Sequence, residues 1–266
     1  MKKKTKTKLE IIICIIGLIL LLYPSVSNYW NSKYASKVII EYDNLVEKMV
    51  NDEYAQMKED VIKYNELLAS KEKIANLSDE EKNIYNSLLD VDGEGSMGYL
   101  EIDVIKVKIP IGHGVSEKVL QDKVGHLEWS SLPMGGENTH VVLSAHTGLN
   151  SVRLFTDLSK LKVGDRFVIN VLKEKLIYEV DQIKVAKPYE LNDLQIIEGE
   201  DLVTLTTCTP YGVNTDRLLV RGHRVINDEE FLNVRSNAVL ISKYIVALLL
   251  CIVPLLIFII VVILKK

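Results

Sequence analysis

The sequence predicts a mainly β domain, a closed or nearly closed barrel of seven or so short strands, preceded by helices and bracketed by two apolar segments. Three observations carry this. After Gly98 the apolar residues fall into short period-two runs separated by turn formers, the pattern of half-buried strands. From Ser32 to Ser70 they recur instead at spacings of three and four, the helical period. At each end a block without charges stands beside lysines, as membrane-directed segments do.

At the N-terminus, residues 2 to 8 carry five lysines, and Ile11 to Tyr23 is apolar up to Pro24. This run is short of the about 20 residues that a spanning helix needs. It has the proportions of a signal-peptide core, with Ser25-Val26-Ser27 as small residues at a cleavage position, or of a retained anchor with Tyr29 and Trp30 at the outer interface. At the C-terminus, Ile245 to Leu264 is free of charge between Lys243 and Lys265-Lys266, long enough to cross a bilayer. The positive-inside rule then puts the lysine-rich start in the cytoplasm and the domain outside the cell membrane, with both termini cytoplasmic if the first segment is kept. The expected division is 1-30 for the start and anchor or signal segment, 31-96 for a helical region and linker, 97-228 for the β-barrel, 229-244 for a juxtamembrane linker and 245-266 for a transmembrane helix with a short tail.

Within the helical region the stripe Val38, Ile39, Tyr42, Leu45, Val46, Met49, Val50 continues through Val61, Tyr64, Leu67 and Leu68, and reads as helices laid on the domain. Ser78 and Glu81 have capping-box spacing at the start of a short helix through Leu89. Asp90 to Gly98 is acidic and glycine-rich, but its spacing misses the calcium-loop pattern, so a mobile linker is expected. Strands are expected at Tyr99 to Ile102, Lys106 to Ile109, His140 to Ser144, Arg166 to Val171 and Leu176 to Val185, and on both sides of Cys208.

Charge and cysteine usage narrow the function. The net charge of -4 and the lack of a basic patch argue against a nucleic-acid partner. Cys14 and Cys251 lie inside the apolar blocks, so the central domain holds one thiol and no internal disulfide. One Cys and five scattered His show no metal-ligand spacing, and no cofactor motif is present.

The chemistry converges on Val203 to Gly222. Val203, Leu205 and Thr207 alternate with Thr204 and Thr206, so Cys208 ends a strand; Pro210, Gly212 and Asn214 form a turn; Arg217 opens the returning strand. Cys208 and Arg217 are thus expected to face each other at a hairpin mouth, where a permanent cation favours the nucleophilic thiolate. Such a thiol needs a proton-transfer partner, and among His113, His126, His140, His146 and His223 only His146 stands just past a strand end, where a loop presents side chains to a cleft. An inactive membrane-tethered module, with Cys208 packed and Arg217 in a structural ion pair, is the alternative of another class.

The stretch TLTTC from Thr204 to Cys208, with Arg217 nine residues later and His146 upstream in SAHTGL, resembles the sortase family of cysteine transpeptidases over roughly Met97 to Val225. IPIGHG, GHLEWSSLPMGGENTHVVLSAHTGL, LFTDLSKLKVGD and CTPYGVNTDRLLVRG further resemble the pilin-polymerising class C subgroup of Gram-positive cell surfaces. The resemblance implies an eight-stranded sortase-type β-barrel with His146, Cys208 and Arg217 catalytic at one end. It implies a surface-protein or pilin precursor with an LPXTG-type sorting signal as substrate, cleaved between Thr and Gly through a thioester. The acceptor is then the lysine amine of a pilin subunit, or a cell-wall precursor if the enzyme is of the housekeeping kind. Two departures stand out. No proline lies between Pro24 and Pro110, so the Asp-Pro-aromatic lid of class C enzymes is missing unless a segment between Ser70 and Met97 replaces it. Thr147 also stands where many class C members have arginine.

Overall fold

The computed structural model describes residues 2–71, 77–148 and 154–226. The chain divides into two units, Met1–Ser27 with Asp228–Lys266, and Asn28–Asn227. Helix α1 (Lys2–Lys48) continues past Pro24, which removes one rung of the hydrogen-bond ladder without ending the helix. Among the described residues no helix is long and apolar enough to cross a membrane, so the flanking transmembrane segments find no support there. The apolar run ends at Tyr23, and the rest of α1 is amphipathic and polar. The expected span Ile245 to Leu264 lies outside the described residues.

The helical stripe is a packing face. On α1, Ala35, Ile39, Tyr42 and Val46 are buried, whereas Leu45 faces solvent; in the link to the next helix Met49 is buried and Val50 exposed. Tyr42 fixes the helix to the barrel: its hydroxyl donates to Met97 O (2.9 Å) and accepts from Leu172 N (2.8 Å). Helix α2 (Asn51–Ala69) buries Val61, Tyr64 and Leu68. Helix α3 (Asp79–Ser87) starts on the expected capping box, with Glu81 N donating to Ser78 Oγ and Ser78 N donating back to Glu81 Oε2. The Asp90 to Gly98 stretch is not a mobile linker but a folded turn. Asp90 Oδ1 accepts from Gly95 N, and Asp92 Oδ1 accepts from Glu94 N and Ser96 N, a carboxylate-backbone bonding typical of Asx turns.

Eight strands follow: β1 (Ser96–Ile102), β2 (Val107–His113), β3 (Val124–His126), β4 (Thr139–Ser144), β5 (Arg166–Val171), β6 (Glu174–Ala186), β7 (Asp201–Thr209) and β8 (Asp216–Val225), with a one-turn helix α4 (Glu117–Leu120) between β2 and β3. They close in the order β1-β2-β3-β4-β7-β8-β6-β5. The strand that the period-two reading passed over is β3, whose three residues are too few to show a period. Val141, Leu143, Val203, Leu205, Leu218 and Val220 point into the main core. Their neighbours Val142 and Leu219 point outward and join Ala186 and Leu194 in a separate apolar cluster, against which Leu127, Trp129 and Leu191 pack. The sheet is therefore covered on its outer side as well along β4, β7 and β8.

Candidate active site

Strand β7 is the centre of the site because it is paired on both edges. Against β8 it is antiparallel, and the register sets Cys208 opposite Arg217. Against β4 it is parallel, with Val142 beside Thr204 and Ser144 beside Thr206. That pairing continues past the strand end, since Ala145 N donates to Thr206 O (3.2 Å) and Thr207 Oγ1 donates to Ala145 O (2.7 Å). The same offset brings His146 alongside Cys208.

Side-chain alternation then fixes the face. Val203 and Leu205 enter the core, so Thr204, Thr206 and Cys208 point outward. By the same parity His146 shares the outward face of Val142, and Arg217 that of Leu219. The structure thus brings the three residues expected from the sequence into one row, His146, Cys208, Arg217, at one end of the barrel. Each is half-buried, an exposure that lets a peptide reach the thiol. Among the described residues the Cys208 thiol has no hydrogen-bond partner. Nη1 of Arg217 donates to Asp216 O (3.1 Å) and, at the limit of the range, to Asn214 O (3.5 Å), which holds the guanidinium at the turn; among the described residues it forms no ion pair, the Asp216 carboxylate being taken up by Lys187.

Two contacts hold the described backbone beside the row. Phe155 N donates to His146 O, fixing the backbone that carries the imidazole. A Cβ on Gly148 would lie 2.8 Å from the ring of Tyr211, and Gly148 has φ +77, so glycine at this position lets the β7–β8 turn approach the backbone two residues after His146. Thr147 is half-exposed beside it.

Three of the remaining histidines are structural. His140 lies on the outward face of β4 but is buried, with Nδ1 at 2.7 Å from Gln195 O and Nε2 at 2.8 Å from Thr204 Oγ1. His126 is fully buried, between Tyr85 Oη (3.0 Å) and Ser131 O (2.8 Å). Burial holds each of these imidazoles down, to about 4, with the backbone hydrogen bonds to Gln195 and Ser131 acting in the opposite sense. His113 lies between Leu88 O (2.8 Å) and Gly95 O (3.1 Å), and His223 is a half-exposed residue of β8.

Sequence reasoning missed Glu117. Its Oε2 lies 3.7 Å from Nε2 of His146, and its side chain is 86% exposed. Ser116, which caps α4 by accepting from Val119 N, is a legible helix-start signal, but nothing local says that α4 lies beside His146. Of the segment raised as a substitute lid, residues 72–76 lie outside the described residues. The part from Leu77 onward is fastened to the barrel on β2 and β3 through Tyr85, whose hydroxyl bonds His126 and accepts from Gly114 N, and it makes no hydrogen bond or ion pair with His146, Cys208 or Arg217.

A closed eight-stranded barrel that lines up one histidine, one cysteine and one arginine on the outside of its central strands defines the class as sortase-like. The family described as Sortase domain matches residues 100–225. Sortase C1 from Streptococcus agalactiae is 50% identical, with a TM-score of 0.70, covering 72% of this chain and 100% of that one. Sortase C of Clostridium perfringens, solved with the C-terminal cell wall sorting motif, is 44% identical with a TM-score of 0.64, covering 72% and 99%. A curated relative, Sortase A of S. agalactiae, is 26% identical over 127 residues, 47% of this chain and 51% of that protein, so the chain spans about half the length of that relative. The chain belongs to the sortase family, whose members are cysteine transpeptidases, and the two solved relatives named above are sortases C, in line with the class C resemblance.

Proposed function

We propose that the chain is a class C sortase that cleaves an LPXTG-type sorting signal between Thr and Gly and transfers the acyl group to a pilin lysine, assembling covalent pili. The observation that carries this reading is the pairing of Cys208 with Arg217 across β7 and β8, with His146 next in the row on the same outward face.

The chemistry follows from the row. The Cys208 thiolate attacks the threonine carbonyl of the signal, and the negative charge that develops on its oxygen is met by the guanidinium of Arg217, which forms no ion pair among the described residues. The imidazolium of His146 gives its proton to the departing glycine nitrogen, and collapse leaves the acyl group on sulfur as a thioester. A second amine then attacks the thioester carbonyl. The C–S bond breaks, sulfur leaves as thiolate, and an amide bond joins the signal to the new amine.

The exposed apolar run at the start of α1 and the uncharged stretch from Ile245 to Leu264 support a site at the cell membrane, with the barrel outside and both termini in the cytoplasm. Tethering there would raise the effective concentration of enzyme against precursors held in the same plane.

The test is a purified assay with a sorting-signal peptide and a pilin domain as acceptor. Wild-type protein should form a mass adduct on Cys208 and a ladder of covalent multimers, and Cys208→Ala should form neither. Full acyl transfer by Cys208→Ala would sink the reading, and wall-precursor adducts without multimers would shift it to the housekeeping kind.

A further inference from the structure

We propose that Glu117 is the docking carboxylate for the acceptor amine, binding a primary alkylammonium beside Nε2 of His146 before that amine attacks the Cys208 thioester. The inference rests on the transpeptidase reading above and adds to it a subsite and the charge class of its ligand.

The position of Glu117 is built by two glycines. A Cβ on Gly112 of β2 would stand 3.0 Å from Val119 Cγ1 and from the Lys123 side chain. One on Gly125 of β3 would stand 2.5 Å from Gly114 O and 2.9 Å from Leu120 Cδ2. Both strands therefore offer bare backbone where α4 and its flanks pack, and the helix seats directly on the barrel end. Gly125 is paired with Ser144, two residues before His146, so the seat adjoins the site. Across the sheet the order becomes α4, β4, β7, β8, and the side chains follow it: Glu117, His146, Cys208, Arg217.

This row is electrically polar. The cation of Arg217 stands at one end, where the oxyanion forms, and the carboxylate of Glu117 at the other. A lysine amine reaches the enzyme almost wholly as ammonium. It is repelled from the Arg217 end and attracted to the Glu117 end. The separation of 3.7 Å is too long for a direct hydrogen bond between carboxylate and imidazole, and Glu117 has no other ion-pair partner among the described residues. An ammonium placed there can donate one N–H to Glu117 and one to Nε2 of His146.

The protons balance. After acylation His146 is neutral, having given its proton to the leaving amine. It takes one proton from the docked ammonium, and the freed amine attacks the thioester carbonyl. Loss of the second N–H proton to water accompanies amide formation as Cys208 departs as thiolate. The first product amine takes up one proton from water as its ammonium, so no charge is gained or lost.

The test compares two nucleophiles on the full-length chain acylated by a sorting-signal peptide: a lysine-containing peptide, cationic near neutral pH, and hydroxylamine, which is uncharged there. For wild type the ratio of kcat/KM for lysine peptide to that for hydroxylamine is taken as reference. Glu117→Gln should lower this ratio about three- to five-fold, through KM for the lysine peptide, the size of an exposed ion pair. Glu117→Asp should restore part of it, and raising the salt should shrink the wild-type preference. An unchanged ratio in Glu117→Gln overturns the proposal, including the case where both nucleophiles slow equally because His146 has lost a support. If the wild type yields no hydroxamate at all, the thioester reading itself fails and takes the proposal with it.

Discussion

Replacing Asn65 by alanine should destabilise the barrel strongly while leaving its chemistry in place. Asn65 is a buried polar residue on α2. Its Nδ2 donates to Leu132 O (3.0 Å) and its Oδ1 accepts from Leu132 N (2.8 Å), so one side chain satisfies both backbone groups of a fully buried residue in the β3–β4 connection. Truncation strands both groups away from water, each at about 1–3 kcal/mol, giving a total of about 2–4 kcal/mol after partial relaxation. For a domain of this size each kcal/mol moves Tm by about 2–4 °C, so the expected drop is about 4–16 °C. The assay is thermal and urea unfolding, with the urea midpoint falling at constant slope. Leu67→Ala on the exposed side of the same helix is the control and should stay within about 0.5 kcal/mol. The clasp lies at the end of the barrel that β4 leaves from, whereas Cys208 lies where β4 arrives, so thioester formation well below Tm should match wild type. A drop in Tm under about 2 °C, or an equal one for Leu67→Ala, would refute the account of these two bonds.

Two further outcomes are expected. His126 and His140 are held neutral by burial with folded values of about 4, so the unfolded chain takes up protons that the native imidazoles refuse. Their contribution is present in full above the ordinary histidine value and is lost as pH falls from there through about 4, on the order of 3 kcal/mol each. Imidazole NMR signals of the two residues should stay neutral between about pH 7 and 5, and a midpoint near the ordinary histidine value for either would refute it. Gly125→Ala forces a Cβ against Gly114 O and Leu120, costing about 1–3 kcal/mol of overpacking and displacing α4. Melting and acceptor-peptide kinetics should both worsen, and normal values in both would remove the glycine seat from the argument.

The parts of the molecule legible in the sequence are those whose partners are near in the chain. The Cys208–Arg217 pairing is set by a short turn, and turn length fixes hairpin register, so nine residues of spacing were enough to bring the two together. The capping box of α3 is three residues long and was equally readable. The face of α1 followed from its helical period, although that period did not separate the buried Ile39, Tyr42 and Val46 from the exposed Leu45. His146 was singled out because it follows a strand end, yet its place beside Cys208 depends on a parallel pairing of β4 with β7 across a long stretch of chain.

What the sequence by itself determined is therefore the family, the reactive pair and the order of elements, all carried by local spacing. Tertiary structure alone decided that β3 exists, that His113, His126 and His140 are taken up by packing and backbone partners, that Asp90 to Gly98 folds on its own carboxylates, and that Glu117 joins the row. Each of these depends on groups distant in the chain meeting across a closed sheet, or on backbone hydrogen bonds that leave no periodic trace, and periodicity reports only which way a side chain points, not what it meets there.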